Sequence, residues 1–346
     1  MYDGFLLLGF GGPEGPDEVM PFLRNVTRGR AVPDERLAEV AEHYLHFGGV
    51  SPINAQCRAL LDAVAAEFEA RHIPLRTYWG NRNWHPFVTD TAARMRADGV
   101  RRALVLVTSA AGGYSGCRQY REDLAGARAR VGPGVPELIK LRHFFNHPGF
   151  IAANADHVRT ALAILPEDER DSAALVFTAH SVPEAADANA GMEGMLYSRQ
   201  QRETACLVAE AVRGPGAAFD LAWQSRSGSP GTPWLEPDIN EHLADLARRG
   251  VRSVAVCPTG FVSDHLEVLW DLDVAAAATA RDLGLTMVRA RTAGTHASFV
   301  DAAVGLVQEQ LDGTDPAVVG TFGVTGVDCP TELGCCLART AAPARR

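Results

Sequence analysis

The chain has 346 residues, 47% of them hydrophobic and 22% charged, with a formal net charge of -9. That length suits two domains of moderate size, and the apolar content excludes a disordered chain. The acidic balance excludes the basic face that a nucleic-acid binder needs.

In chain order, Leu6 to Phe10 read as a buried strand, not as the apolar core of a signal peptide. The opening MYDGFLLLGFGGP has no basic start and no A-x-A cleavage site. No apolar run reaches the ~18–20 residues of a membrane span. The expectation is a cytoplasmic enzyme with at most peripheral membrane contact, working as a monomer.

Strand-like runs follow at Phe5–Gly9, Leu75–Trp79, Ala103–Thr108, Glu137–Arg142, Ala174–Thr178, Asp220–Gln224, Ser253–Cys257 and Thr286–Arg289. They are short and mostly without alternation, as in parallel strands buried on both faces. Amphipathic helical patterns lie between them, at 54–70, 88–97, 120–130, 147–164, 198–212, 238–249 and 298–311. This rhythm predicts a doubly wound α/β chain. Eight strands divide into four and four. The expected organisation is two doubly wound, Rossmann-like halves, 1–148 and 149–312, with the last helix crossing back. Residues 313–346 form a Gly-, Pro- and Thr-rich extension.

Ligands of open parallel sheets sit beyond the carboxyl ends of the strands, and four strand ends are unusual. Gly9-Phe10-Gly11-Gly12-Pro13 is a tight turn without the G-x-G-x-x-G spacing of a dinucleotide site. His180 leaves its strand where a site is expected and could accept protons near pH 7; a purely structural histidine also fits locally. The stretch Trp223-Gln224-Ser225-Arg226, then Trp234 and Glu236, could grip a flat, carboxylate-bearing ligand, or could simply cap a core tryptophan. Asp264, Glu267 and Asp271 are spaced i, i+3, i+7, which puts them on one face if the segment is an α-helix, with Leu266, Leu269 and Trp270 serving the core. Three acids in a stripe could guide a divalent cation or could be a solvated helix start.

In combination these segments resemble the ferrochelatase family along nearly the whole chain. The resemblance is carried by Leu7–Pro13, Pro21-Phe22-Leu23-Arg24-Asn25, Gly48-Gly49-Val50-Ser51-Pro52-Ile53, Ala179-His180-Ser181, Gln224-Ser225-Arg226 and Gly260–Glu267. It implies two chelatase-type halves around a porphyrin cleft, with His180 and Glu267 catalytic. The iron path would run through His180, Glu267 and Asp271, and Fe²⁺ would be a substrate. Porphyrin contacts would come from Phe10, Arg28, Arg30, Ser51, Tyr120, Gln224 and Trp234. Phe10 stands where some relatives carry tyrosine, and His43 where relatives carry arginine. The phrases at 43–47, 80–84 and 222–226 are most similar to ferrochelatases of high-GC Gram-positive bacteria, which implies coproporphyrin III over protoporphyrin IX. Rival readings are a sirohydrochlorin chelatase and a non-catalytic porphyrin-binding protein.

Seven cysteines are present, an odd count that argues against a disulfide framework. Cys329, Cys335 and Cys336 close the chain. On the residues alone a zinc site or free thiols would serve as well; the resemblance implies a 2Fe–2S cluster on these three and Cys117.

Overall fold

The computed structural model describes residues 1–29, 32–227, 231–327 and 336. The first half runs β1 (Gly4–Gly9), α1 (Pro16–Val26), α2 (Asp34–His46), α3 (Ile53–Ala70), β2 (Arg76–Asn81), α4 (Val88–Ala97), β3 (Arg102–Val107), a π-turn (Tyr114–Arg118), α5 (Gln119–Val131) and β4 (Glu137–Lys140). The second runs α6 (Pro148–Leu162), α7 (Glu167–Arg170), β5 (Ala174–His180), α8 (Glu184–Ala188), α9 (Leu196–Arg213), β6 (Asp220–Gln224), α10 (Ile239–Arg248), β7 (Ser253–Cys257), α11 (Leu266–Val268), a π-helix (Leu269–Ala276), α12 (Ala277–Asp282), β8 (Thr286–Arg289) and α13 (Ala297–Asp312).

Among the described residues the strands form two four-stranded sheets of order β2-β1-β3-β4 and β6-β5-β7-β8, with neighbouring strands parallel throughout. Two sheets of the same winding arise from halves with no visible sequence repeat. The reason lies in the pattern: β1 is buried along its whole length and so is β7, which only helices on both faces permit. Helix starts are marked chemically. Asp238 caps α10 by accepting from the Asn240 amide, and the Nδ1 atoms of His147 and His296 do the same for α6 and α13.

The core of the first sheet reaches past its own half. Phe299, Val304 and Val307 of α13 join Phe5, Phe68 and Leu106, so the last helix lies across α3 and α6. Residues beyond α13 are pinned rather than trailing. Arg142 donates to the carbonyl of Ala317, the Val319 amide donates to the carbonyl of Asn146, and the His143 amide donates to the carbonyl of Thr325. Among the described residues no helix is long and apolar enough to cross a membrane.

The structure departs from the sequence reading in two places. Helices α1 and α2 were not anticipated: Pro21 lies inside α1, and both helices are short and charge-rich. The segment after β7 is also not a plain α-helix, because a π-helix occupies 269–276. The expected 264/267/271 stripe also fails at its start, because the helix begins only at Leu266, after an extended His265. Asp264 lies ahead of α11 and pairs with Arg289 at 3.1 Å, and Trp270 is only partly buried.

Candidate active site

In both sheets the winding reverses beside the first strand, between β1 and β3 and between β5 and β7. A doubly wound sheet opens a crevice beyond the carboxyl ends of the strands at such a point. In the second sheet β5 ends on His180, and β7 runs through Pro258–His265 into Glu267. Gly260 makes the crossing: its amide donates to the carbonyl of Thr178, and a Cβ there would lie 2.5 Å from that of Ala179.

His180 Nε2 and a Glu267 carboxylate oxygen are 3.7 Å apart, and their side chains are 35% and 44% exposed. The pair therefore faces an opening and is not sealed in the core. His180 Nδ1 lies 2.5 Å from the carbonyl oxygen of Ser181. A carbonyl only accepts, so Nδ1 carries the proton and Nε2 is the basic nitrogen turned to the opening. Burial opposes charge on this imidazole, but the bond to Glu267 and its negative charge outweigh that and raise its pKa. Burial likewise opposes charge on Glu267. His180, His265 and His43 outweigh it and hold the carboxyl at about 2. Asp271 goes the other way: burial and the charge of Glu267 push it up to about 6 against the opposing bond from Ser225. Two carboxylates on one segment thus have separate roles, one fixed in charge and one able to titrate near neutrality.

Ser225 adopts a left-handed backbone (φ 61°), unusual for a residue with a side chain, and donates to Asp271 Oδ2 at 2.5 Å. Gln224 Nε2 approaches the same oxygen at 3.5 Å. Gln224 and Ser225 therefore hold the second acid in place, while Arg226 turns to Glu236.

The first half supplies the facing wall. Helices α1 and α2 pack through Phe22 and Tyr44 onto Leu266, at the foot of the π-helix. The His43 ring stacks on Trp270 at 3.8 Å with 9° between planes, and His46 meets the same ring edge-on. Phe10 is partly buried at the end of β1, touching both the sheet core and the α1–α2 cluster. In its turn Gly11 has φ 86°, and a Cβ there would lie 2.9 Å from that of Asn81. Arg82 places its guanidinium over the rings of Phe10 and Tyr120 and pairs with Asp123 at 3.0 Å.

The structure thus brings His180, Glu267, Asp271 and Gln224 together. Ser51, Tyr120 and Trp234 are buried; Ser51 packs on Gly12, and Tyr120 lies beneath Arg82. Arg28 is exposed and bonded to Asn25, whereas Arg30 lies outside the described residues. Arg82, Ser225 and the stacking role of Trp270 were not anticipated. For Arg82 the available signal was its position just past a buried strand.

Cys117 is buried in the π-turn at 114–118. Cys336 is buried too. Cys329 and Cys335 lie outside the described residues. Among the described residues no group of three or more His, Cys, Asp or Glu side chains is arranged so that it could hold a metal ion.

The fold is that of the chelatases. Similar solved structures are the sirohydrochlorin chelatase SirB from Bacillus subtilis subspecies spizizenii in complex with cobalt (TM-score 0.53, 10% identity, 90% of this chain and 96% of that one) and SirB from Bacillus subtilis with Fe³⁺ (TM-score 0.55, 11% identity, 91% and 98%). The ferrochelatase family model matches residues 2–311, and the chain belongs to that family. Similar proteins are the coproporphyrin III ferrochelatases of Nocardia farcinica (57% identity, 99% of this chain and 97% of that one), Mycobacteroides abscessus (56%, 95% and 97%) and Streptomyces coelicolor (51%, 99% and 95%).

Proposed function

We propose that this protein inserts Fe²⁺ into coproporphyrin III, releasing the two pyrrole protons as the metal enters. The observation that carries the reading is the half-open His180–Glu267 pair at the switch point of the second sheet. It is supported by family membership and by relatives above half identity that bear that name.

His180 Nε2 takes a pyrrole proton, and the imidazolium so formed faces the carboxylate of Glu267, which stays ionised. Asp271, at about 6, can accept a proton from this pair and pass it on near neutral pH. The iron path runs along the same acidic side, through His180, Glu267 and Asp271. Phe10 offers a flat apolar face and no metal ligand. Gln224 and Trp234 serve as porphyrin contacts, Ser51 and Tyr120 as contacts on the propionate side, and Arg28 and Arg30 as the basic pair of the porphyrin site. A macrocycle pressed between such walls is bent toward the geometry in which a nitrogen lone pair meets the metal.

The reading includes a 2Fe–2S cluster held by Cys117, Cys329, Cys335 and Cys336. What supports it is the return of the tail: Arg121 donates to the carbonyl of Gly326 at 3.0 Å, four residues from Cys117. Cys329 is three residues further along, within ~10 Å of extended chain. The four thiolates would supply the usual ligand set of such a cluster. The protein is taken to work as a monomer in the cytoplasm.

The test is anaerobic Fe²⁺ insertion followed by loss of porphyrin fluorescence. Coproporphyrin III is expected to exceed protoporphyrin IX in kcat/KM by at least ~10-fold, since four propionates offer twice the charge-assisted contacts of two. A preference for protoporphyrin IX would overturn the substrate assignment. The same fresh preparation should be coloured and contain acid-labile sulfide; a colourless, sulfide-free protein would remove the cluster.

A further inference from the structure

His180 is aimed by its own backbone, because its Nδ1 proton is given to the carbonyl of the very next residue. The direction of Nε2 therefore depends on how the 180–181 peptide is held. The strand ladder fixes one edge, where the Ser181 amide donates to the carbonyl of Gln224 at 2.8 Å. Ser181 Oγ donates to the carbonyl of Leu235 at 2.9 Å. The carbonyl of His180 is the remaining group at the end of β5, and its partner is the hydroxyl of Tyr197 at 2.9 Å.

Tyr197 is held from both halves of the molecule. Its ring tilts against Trp223 with centroids 5.8 Å apart, and its Cβ lies 3.4 Å from where a side chain on Gly113 would begin. Helix α9, which carries it, is tied to the first half one turn further on. Gln200 Oε1 accepts from the Gly112 amide at 2.6 Å, and Thr204 Oγ1 donates to the carbonyl of Phe145 at 3.1 Å. Gln200 Nε2 also donates to Thr325 Oγ1 at 3.0 Å, so the pinned tail grips the same turn. At the helix start the buried Asp187 accepts from the Ser198 amide and hydroxyl at 3.1 and 2.5 Å. The phenol is thus a rigid strut, with one end in packed helix and the other on the carbonyl of His180.

We propose that Tyr197 is a positioning residue: its hydroxyl locks the 180–181 peptide and so keeps the imidazole of His180 aimed across the opening at Glu267. Without that donor the carbonyl has no partner in a buried setting and turns to find one. That turn changes ψ at 180 and φ at 181, the backbone torsions between the imidazole and the Ser181 carbonyl, so the Nδ1 bond is strained or lost and Nε2 leaves its line. This inference rests on the reading of His180 as the proton acceptor. A reacting group displaced by about 1 Å can cost on the order of 10²-fold in rate.

Tyr197→Phe removes only the hydroxyl and keeps the ring in its packing. We expect kcat for iron insertion to fall ~10- to 100-fold, with KM for coproporphyrin within about twofold of the native value because the ring does not line the porphyrin face. The second readout needs no turnover. In the native protein the short Nδ1–H···O bond of His180 should give a downfield, exchange-protected imidazole proton, assigned by its loss in His180→Ala. In Tyr197→Phe that signal should move upfield or vanish. Native-like kcat with the proton signal unmoved would overturn the proposal, and so would a loss expressed in KM alone. Should the native protein prove inactive on any porphyrin, the proposed function fails, while the proton signal still decides whether Tyr197 holds His180.

Discussion

In His180→Ala, iron insertion falls ~10²- to 10⁴-fold, the range lost with a positioned acid–base group, while coproporphyrin still binds. Geometry alone singles out the reacting nitrogen. Nδ1 is committed as donor to the carbonyl of Ser181, so Nε2 is the nitrogen left to accept, and it points where the two halves leave an opening. Alanine removes the base without touching the aromatic wall formed by Phe10, so fluorescence quenching should report near-native porphyrin affinity.

A companion substitution separates the base from its partner. Glu267→Gln removes the carboxylate that outweighs burial and raises the pKa of His180. A base works above its pKa, so the native acid limb of kcat/KM lies above the ordinary imidazole value. The limb should move to lower pH in the glutamine variant, and the maximal rate should fall because the imidazolium formed in the reaction loses its counter-charge. Turnover of His180→Ala within tenfold of the native rate would refute its role as base. An acid limb that stays put in Glu267→Gln would refute the coupling.

Arg142→Met destabilises the fold by ~3–5 kcal/mol, the cost of stranding a buried charge. Arg142 and Glu309 have side chains only 2% and 6% exposed and meet through two bonds of 2.7 Å. The same guanidinium donates to the carbonyls of His143 and Ala317, and Glu309 accepts from the Ala317 amide. One ion pair therefore joins the end of β4, the last helix and the tail. The double variant Arg142→Met/Glu309→Leu should recover most of the loss in urea unfolding, because two apolar side chains of similar volume carry no stranded charge. A single variant as stable as the native protein would show that water reaches the pair. A double variant no better than the single would show that the tail contacts, not the charge, hold the junction.

The identity of most elements was legible in local pattern. The strands β6, β7 and β8 fall on the residues expected from their apolar runs, and the others differ by a few residues at their ends. Burial on both faces leaves no alternation in such strands, so a short run of Val, Leu and Phe suffices to mark them. Position at a strand's carboxyl end likewise singled out His180, and motif resemblance paired it with Glu267.

What local pattern could not carry was anything set by a partner distant in sequence. Helices α1 and α2 bury their apolar faces chiefly on each other, and Leu266, more than 200 residues away, closes that cluster. The π-helix that carries Trp270 onto His43 is invisible to a 3.6-residue reading, and the late helix start at Leu266 leaves Asp264 outside, paired with Arg289. The fates of the two acids, one at about 2 and one at about 6, depend on burial and on which charges stand beside each. Composition and periodicity act along the chain and so determine elements and their order; charge state, side-chain direction and the opening between halves come from contacts across it, and those exist only once the chain has folded.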